Sequence, residues 1–328
     1  MSAEILLILV MALLLDRILG DPDWLWSRLT HPVVFFGKAV EFVDEALNRG
    51  EFTKAWLKFR GVVGILVLLA GATALGVVLA RLFDVLGALG SLLEVVTVAV
   101  FLAQKSLADH VSRVAVGLRR DGLAGGRKAV SMIVGRDPNT LDEPAVCRAA
   151  IESLAENFSD GVVAPAFWYA VAGLPGLLAY KMLNTADSMI GHKSPKYLHF
   201  GWASARLDDL ANLPAARLSA LLIAAGAYFR RGVEAAKTAI EVARRDHGLH
   251  RSPNSGWPEA AMAGAVGIQL AGPRIYGGVK VDEPMMNDAG RAVAAIEDIE
   301  AAVTVFYAAC SVMALAFAIV ALPLLVFF

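Results

Sequence analysis

Cysteine is nearly missing from this 328-residue chain, which holds only Cys147 and Cys310. The two stand far apart and belong to no CxxC or Cys/His pattern, so neither a zinc site nor a disulfide framework is indicated. A P-loop of the G-x-x-x-x-G-K-[ST] type is also absent, so any use of ATP must rely on another phosphate cradle. Neither sign of charge is in excess, because the net charge is −1. No overall field attracts DNA or RNA, and nucleic acid is not expected as a partner.

Charged residues are scarce at 19%, whereas hydrophobic residues reach 57%, above the roughly 45–50% apolar content of soluble domains. Three stretches contain the roughly 20 mostly apolar residues that a membrane-spanning helix needs, namely 61–82, 87–103 with its flanks, and 303–328. Residues 2–19 lack the basic start and cleavage site of a signal peptide and are predicted to form a retained fourth span.

Helical spacing continues between these spans. It covers 108–155, which contains a glycine-rich turn at 122–126, and 230–247, while strand-like alternation is confined to a short stretch near 275–281. We therefore expect an all-α, polytopic integral membrane protein with about 4–6 membrane helices and large cytoplasmic helical loops. A single domain is predicted over residues 1–328.

Lysine and arginine accumulate in cytoplasmic loops, and here they are concentrated in residues 16–60, 105–160 and 230–302. The turn at 83–102 has none, and none follows residue 303. This distribution predicts an external N-terminus, an outward hairpin near 83–90 and an external C-terminal end.

Two further apolar segments, 162–180 and 213–229, are shorter or broken, the former by Pro165 and by the glycines and proline of 173–176. Because the polar regions before and after this pair are both predicted to be internal, either both segments cross the membrane or neither does. Their shortness and their breaks favour re-entrant segments, which would keep 181–212 on the cytoplasmic side.

Three acids, Glu152, Glu156 and Asp160, follow one another at i, i+4 and i+8 on one helical face and directly precede an apolar segment. Like charges at this spacing repel one another unless cations or donors lie opposite. Ionisable groups at membrane depth usually have a functional role, so a magnesium or substrate site is predicted. The alternative is a solvated helix face paired with lysine and arginine.

A second cluster consists of Asn184, Asp187, Ser188, His192 and Lys193. Small oxygen ligands beside a compact ammonium suit a nucleotide or a phosphorylated substrate. The alternative is a polar turn in which Asp187 and Ser188 cap a helix. A lone histidine such as His192 is more often a structural residue than a base.

The third cluster contains Arg206, Asp208, Asp209 and Asn212. Adjacent carboxylates with an amide oxygen one turn later can hold a hard cation, while the arginine binds a phosphate. A helix start with surface acids is the alternative. Outside the three clusters, His31, Trp257 and Glu259 lie in or beside tight turns rich in glycine and proline, where Trp257 could also be a membrane-interface anchor.

The order of these motifs resembles that of the CobD/CbiB family, the adenosylcobinamide-phosphate synthases of cobalamin biosynthesis. The resemblance covers nearly the whole chain. It is carried by Gly20–Pro22, His31–Val33, Leu141–Glu143, Ala150–Gly161, Ala164–Pro165, Asn184–Thr185, Asp187–Met189, Gly191, Phe200–Trp202, Ala205–Asp209, Asn212, Pro214–Ala215, Arg217–Leu218 and Gly256–Gly264.

This resemblance implies an ATP-dependent ligase that joins the free propionate carboxylate of adenosylcobyric acid to the amine of (R)-1-aminopropan-2-yl phosphate, or of a related amino alcohol phosphate. Mg²⁺ is the implied cofactor and ATP the co-substrate. The predicted site residues are Glu152, Glu156 and His192 for catalysis; Lys193, Arg206, Asn184, Asp187, Ser188, His31, Trp257 and Glu259 for substrate and phosphate binding; and Asp160, Asp208 and Asp209 for magnesium.

Two other classes match parts of the pattern. A polytopic magnesium-dependent prenyltransferase also uses two acidic motifs, and a transporter uses broken helices at its binding site. For the synthase, the expected partners are the corrinoid, the amino alcohol phosphate, the lipid bilayer and other cobalamin-pathway enzymes at the membrane. The expected location is the cell (cytoplasmic or inner) membrane, with active-site loops facing the cytoplasm.

Overall fold

The computed structural model describes residues 2–50, 52–135, 137–272, 274–276, 279–281 and 283–327. Helices dominate this part of the chain and confirm the all-α prediction. They are α1 (Ala3–Leu19), α2 (Asp23–Trp26), α3 (Pro32–Leu47), α4 (Lys54–Leu86), α5 (Ala88–Val100), α6 (Gln104–Val130), α7 (Glu143–Phe158), α8 (Ala164–Ile190), α9 (Trp202–Arg231), α10 (Val233–Asp246), α11 (Gly256–Val266) and α12 (Ile296–Phe327).

Short elements complete the described chain. A π-helical turn, Ser159–Val163, joins α7 to α8, and 3-10 turns cover Pro138–Thr140 and His247–Leu249. The strands are β1 (Leu270–Ala271), β2 (Arg274–Tyr276), β3 (Val279–Val281) and β4 (Met285–Met286), with β1 antiparallel to β4 and β2 antiparallel to β3. The expected strand near 275–281 is thus a small hairpin.

Five helical segments within the described residues are long and apolar enough to cross a membrane: Lys54–Leu86, Ala88–Val130, Glu143–Ile190, Trp202–Arg231 and Ile296–Leu324. This number agrees with the predicted polytopic membrane class. The fourth span predicted at 2–19 forms α1, a helix of 17 residues, and is not among these five. Phe328, the predicted end of the last span, lies outside the described residues.

The chain divides into two compact units, each built from segments distant in sequence. Unit 1 comprises Met1–Ala103, Ala164–Asn212 and Phe317–Phe328, and unit 2 comprises Gln104–Val163 and Leu213–Ala316. The unit boundaries fall within or directly beside helices, as in α9 and α12. This division does not test the single domain over 1–328, which stays a prediction.

In unit 1, α4 and α5 form a helical hairpin. The chain reverses at Gly87, whose φ of 55° is readily adopted only by glycine, and Gly90 lies so close to the Phe83 carbonyl that no Cβ would fit. The predicted turn near 83–90 is therefore present.

A second reversal occurs inside α8, at Gly173 with φ 62° and ψ −154°. Gly176 packs against the Trp168 carbonyl without room for a Cβ, although residues eight apart in a straight helix are about 12 Å apart along its axis. After the reversal, Pro175 lies against Gly76 of α4.

Further along the chain, Phe200 lies against Gly61, near the beginning of α4. Residues 174–190 thus run back along α4 to its beginning, and the 191–201 connection lies at that end of unit 1. Whether 162–180 carries the chain across the membrane stays a prediction, since Glu143–Ile190 is long and apolar enough to cross. The shortness inferred for 213–229 is wrong, since it lies within the 30-residue helix α9.

Unit 2 contains the helical regions predicted at 108–155 and 230–247. The glycine-rich turn is a break in α6 at Gly122, and α7 follows after the 3-10 turn. The α11 helix is buried along nearly its whole length and packs against α10, where Gly264 meets the Thr238 carbonyl. The central position of α11 places the segment before it, 247–255, among polar groups of unit 2.

Candidate functional site

The end of α8 and the beginning of α9 meet in unit 1. Gly201 lies so close to the Ile190 carbonyl that no side chain fits there. Asp187, one turn before the end of α8, and Asp208, in the second turn of α9, lie close enough for their charges to interact. The second and third sequence clusters are thereby brought together, as the structure shows for Asp187 and Asp208.

Asp208 is the central residue of this cluster, with only 8% of its surface exposed. Its Oδ2 accepts a hydrogen bond from Asn212 Nδ2 at 2.9 Å, and Asn212 Oδ1 in turn accepts one from the Tyr180 hydroxyl at 2.9 Å. The buried Oδ1 of Asp208 has no hydrogen-bond partner among the described residues. One carboxylate oxygen is therefore left with bonding capacity that the protein does not use.

Two further aspartates act electrostatically on Asp208. Asp187 and Asp209 both lie close enough to repel its charge, and the Asn184 amide lies close enough to interact favourably with it. The Oδ1 atom of Asp187 rests against Gly191, where a Cβ would collide with it. We call Asp187, Asp208 and Asp209 the aspartate cluster.

Positive charge adjoins the aspartate cluster. Arg206 Nη1 lies 3.7 Å from Asp209 Oδ2, and the Lys193 ammonium also interacts with Asp209. His192 interacts with Asp187 and, like Lys193, is exposed. Cations are therefore present beside the acids but do not neutralise the buried Asp208 directly.

Both structural alternatives for these two motifs are wrong. Asp187 and Ser188 belong to the last turn of α8 and not to a helix N-terminus, so they cap nothing there. Asp208 lies two turns inside α9 and is buried, so it is not a surface acid at a helix start.

The donor chemistry of the aspartate cluster fits magnesium in one particular way. Within the described ranges, no group of three or more His, Cys, Asp or Glu side chains is placed to hold a metal ion. Magnesium, however, is usually held by one or two carboxylates together with waters and substrate phosphates. The free oxygen of Asp208, with Asp187 or Asp209 beside it, matches an ion that is shared with a bound phosphate.

The first predicted cluster lies in unit 2, and its role as a magnesium or substrate site stays a prediction. Glu152 is buried, and its Oε1 accepts a hydrogen bond from the Ala271 backbone N–H at 2.9 Å. Glu156 is partly exposed, and its Oε1 accepts from the Ser255 hydroxyl at 2.9 Å. Asp160 lies in the π-helical turn, where the i, i+4 spacing of an α-helix no longer applies. The three acids thus have different surroundings.

The segment 247–259 gathers the other polar groups of unit 2. The Trp257 ring stacks on His247 at 4.0 Å, and the Arg217 guanidinium lies 5.2 Å from the same ring. Glu259, only 1% exposed, faces His250, with 3.6 Å between Oε1 and Nε2. Trp257 is therefore held between side chains of its own unit, and Glu259 has a buried histidine beside it.

His31 caps a helix. Its Nδ1 accepts a hydrogen bond from the Val33 N–H at 3.2 Å at the start of α3, and its Nε2 lies 3.7 Å from Asp21. Trp26 meets the imidazole edge-on at 4.4 Å. These contacts account for His31 structurally, and its role in binding stays a prediction.

Several polar partners were missed from the sequence: Tyr180, Arg217, His247, His250 and Ser255. Each is a single polar residue without a local pattern, and each acquires a partner only through tertiary packing. Arg217 lies within a motif that carries the family resemblance, and Ser255 directly precedes another, Gly256–Gly264.

Together, these features define a multi-pass helical membrane protein with carboxylates buried near the ends of its apolar helices. The chain matches the family described as CobD/Cbib protein over residues 9–306, and it belongs to the CobD/CbiB family. No solved structure matches it.

Similar curated proteins share nearly the full length of this chain. A "Cobalamin biosynthesis protein CobD" from Rhizobium meliloti is 96% identical over 327 residues, covering 100% of both chains. Proteins of the same name from Sinorhizobium fredii and Brucella suis are 78% and 53% identical, covering 99% and 94% of each chain, respectively.

Proposed function

We propose that this chain is the adenosylcobinamide-phosphate synthase of cobalamin biosynthesis. It would join the propionate carboxylate of adenosylcobyric acid to the amine of (R)-1-aminopropan-2-yl phosphate, or of a related amino alcohol phosphate, at the expense of ATP. Membership of the CobD/CbiB family and the cobalamin-biosynthesis names of the relatives support the pathway. The single structural observation that carries the chemistry is the aspartate cluster beside Arg206 and Lys193.

The reaction requires an activated carboxylate, because an amine does not displace oxygen from a free carboxylate. Transfer of the γ-phosphoryl group of ATP to the carboxylate gives an acyl phosphate, and attack by the amine then forms the amide and releases phosphate. Phosphoryl transfer depends mainly on positioning and on charge stabilisation. Arg206 and Lys193 have the charge and the exposure to bind phosphate oxygens of ATP or of the amino alcohol phosphate.

Magnesium fits the same cluster. Asp208, through its unpartnered Oδ1, would hold the ion together with Asp187 or Asp209, and the bound ion would supply charge neutralisation for the phosphates. Asn212 and Tyr180 form a hydrogen-bonded chain that fixes the other Asp208 oxygen. This arrangement keeps the carboxylate oriented while one oxygen remains available.

A base must remove a proton from the ammonium form of the amine, since alkyl ammonium groups are protonated at neutral pH. Glu156 is one candidate, because its carboxylate is partly exposed and accepts a hydrogen bond at Oε1 from a neutral donor, the Ser255 hydroxyl. His192 is the other candidate, because it is exposed and lies near Asp187. The two residues belong to different units and can be tested separately.

The location proposed is the cell membrane, with the polar regions facing the cytoplasm. The concentration of lysine and arginine in 16–60, 105–160 and 230–302 supports this orientation. ATP and the corrinoid would then be taken from the cytoplasm, and the bilayer and other pathway enzymes would be partners.

The test is product formation by purified protein in lipid nanodiscs. We expect adenosylcobinamide phosphate, detected by mass spectrometry, only when adenosylcobyrate, the amino alcohol phosphate, ATP and magnesium are all present, with one nucleotide cleaved per product. Asp208→Asn should abolish most of the product, while Asp84→Asn, an exposed residue far along α4, serves as the matched control. Formation of the product without nucleotide cleavage would refute the proposal. Absence of the product from protein that shows cooperative thermal unfolding would also refute it.

A further inference from the structure

The exposed side of α3 carries an apolar stripe. Phe35 and Phe42 are 58% and 73% exposed, and with Ala39 and Ala46 they follow the i, i+4, i+7, i+11 spacing of one helical face. The neighbouring face of the helix, about 100° further around the axis, is buried through Phe36, Val40, Val43 and Asp44. A helix that is already packed on one side thus presents a second apolar face.

A polar stripe runs beside the apolar one. Lys38, Glu41 and Glu45 are all exposed and lie one position before Ala39, Phe42 and Ala46. The outward surface of α3 is therefore divided into a charged half and an apolar half. This division is typical of helices that lie at a membrane surface, with charges in water and apolar groups in the acyl region.

The height of α3 along α4 is defined by two contacts. Arg60 Nη2 donates a hydrogen bond to the Ala46 carbonyl at 3.2 Å, and Val43 packs against Gly64. Arg60 is the last charged residue before the apolar run of α4, which starts at Gly61 and exposes Leu66. The helix α3 therefore crosses α4 where its charged beginning gives way to its membrane-spanning part.

Exposed aromatic residues mark the same level. Trp56 and Phe59, in the first two turns of α4, are 48% and 54% exposed and stack on each other at 5.1 Å. Lys54 and Lys58 lie among them. Tryptophan beside basic residues is characteristic of the membrane–water boundary, so this level of unit 1 has the composition of such a boundary.

We propose that α3 is an interfacial helix that lies in the headgroup layer of the leaflet at the Arg60 end of α4. Phe35, Ala39, Phe42 and Ala46 face the acyl chains, and the charged stripe faces water. Lipid is the occupant because α3 packs on α4 at Gly64, two residues before the exposed Leu66 of the membrane-spanning part, and because Lys54, Lys58 and Arg60 complement anionic headgroups.

The position of α3 in the headgroup layer also bears on the position of the aspartate cluster. The Met189 sulfur, in the last turn of α8, lies 3.6 Å from the point that a Cβ atom would occupy at Gly37 of α3. Asp187 is two residues before Met189. A helix held in the headgroup layer would therefore fix the height of the α8 end relative to the membrane surface.

The proposal is tested by spin labels in the full-length chain. Single cysteines replace Phe35, Ala39, Phe42 and Ala46, with Lys38, Glu41 and Glu45 as matched controls on the same helix. The native Cys147 and Cys310 are buried, and the unsubstituted protein shows whether they react. Each labelled variant is placed in nanodiscs of equal parts phosphatidylcholine and phosphatidylglycerol, and its collision rates with oxygen and with a water-soluble nickel complex are measured.

We expect the ratio of oxygen to nickel collisions to be severalfold higher on the apolar stripe than on the charged stripe, with a helical period. Equal access of the nickel complex to both stripes would overturn the proposal, because α3 would then lie in water. Protection of the apolar stripe from both reagents would also overturn it, in favour of a second copy or another protein covering the helix. Unchanged thermal unfolding of the variants shows that the fold is retained.

Discussion

Asp208→Asn separates magnesium binding from structural support. Asparagine keeps the size of the side chain, and its carbonyl can still accept the hydrogen bond from Asn212. The substitution removes the negative charge that is repelled by Asp187 and leaves no carboxylate oxygen for an ion. Stability without magnesium should therefore change little, whereas binding of magnesium should be lost.

The two magnitudes are comparable. Removing the buried charge that Asp187 repels favours the variant. The amide NH2 group, however, would be left without an acceptor where Oδ1 was, which costs on the order of 1–3 kcal/mol, so the unfolding temperature without magnesium should change little. A ligand present at about 100 times its dissociation constant stabilises the folded state by about 2.7 kcal/mol. Magnesium with a nucleotide should stabilise the parental protein by this order, and the variant by much less.

The assay is thermal unfolding in detergent, with and without magnesium and a non-hydrolysable ATP analogue, followed by a magnesium titration of product formation. We expect Asp208→Asn to lose the ligand-dependent shift and at least about tenfold in apparent magnesium affinity. Asp84→Asn should retain both. If Asp208→Asn keeps the parental shift and the parental titration, Asp208 is structural and the assignment is wrong.

Three further predictions concern single contacts. Gly191→Ala should displace both the Asp187 carboxylate and the last turn of α8, because the added Cβ would meet the Asp187 side chain and the Asp187 backbone carbonyl. Product formation and the unfolding temperature should therefore both fall; parental activity would show that the position of Asp187 does not matter. Glu156→Gln should still bind ATP yet resist rescue by excess magnesium, while higher pH, which deprotonates more of the free amine, recovers some amide formation; full rescue by magnesium would leave His192 as the base. The pKa of Asp246 is held below its usual value by hydrogen bonds from Arg245 and, against the effect of burial, from the Asn287 backbone N–H. This stabilisation is fully present well above the unfolded pKa of about 4 and is lost as the pH falls through the lowered pKa. Asp246→Asn should therefore be less stable than the parental protein at pH 7, and the difference should shrink steadily as the pH falls below about 4; a difference independent of pH would contradict the reasoning.

The sequence by itself determined the membrane class, the helical architecture and the presence of a turn near 83–90. These features depend on local properties, namely the length of apolar runs, helical periodicity and the distribution of lysine and arginine. The motifs from Asn184 to Asn212 also identified the acids of unit 1 in advance. In the sequence these acids belong to two separate motifs. The motifs did not indicate which of the acids would be buried.

Only the tertiary structure decided how these motifs meet. The break at 173–176 was visible in the sequence, but whether the chain continues or reverses there depends on packing against α4. The partners of Glu152 and Glu156 lie 119 and 99 residues away, where no periodicity connects them. Asp208 is buried because α8 returns along α4 and ends against the start of α9 at Gly201. A buried carboxylate with one unpartnered oxygen thus results from tertiary packing, which no local sequence pattern predicts.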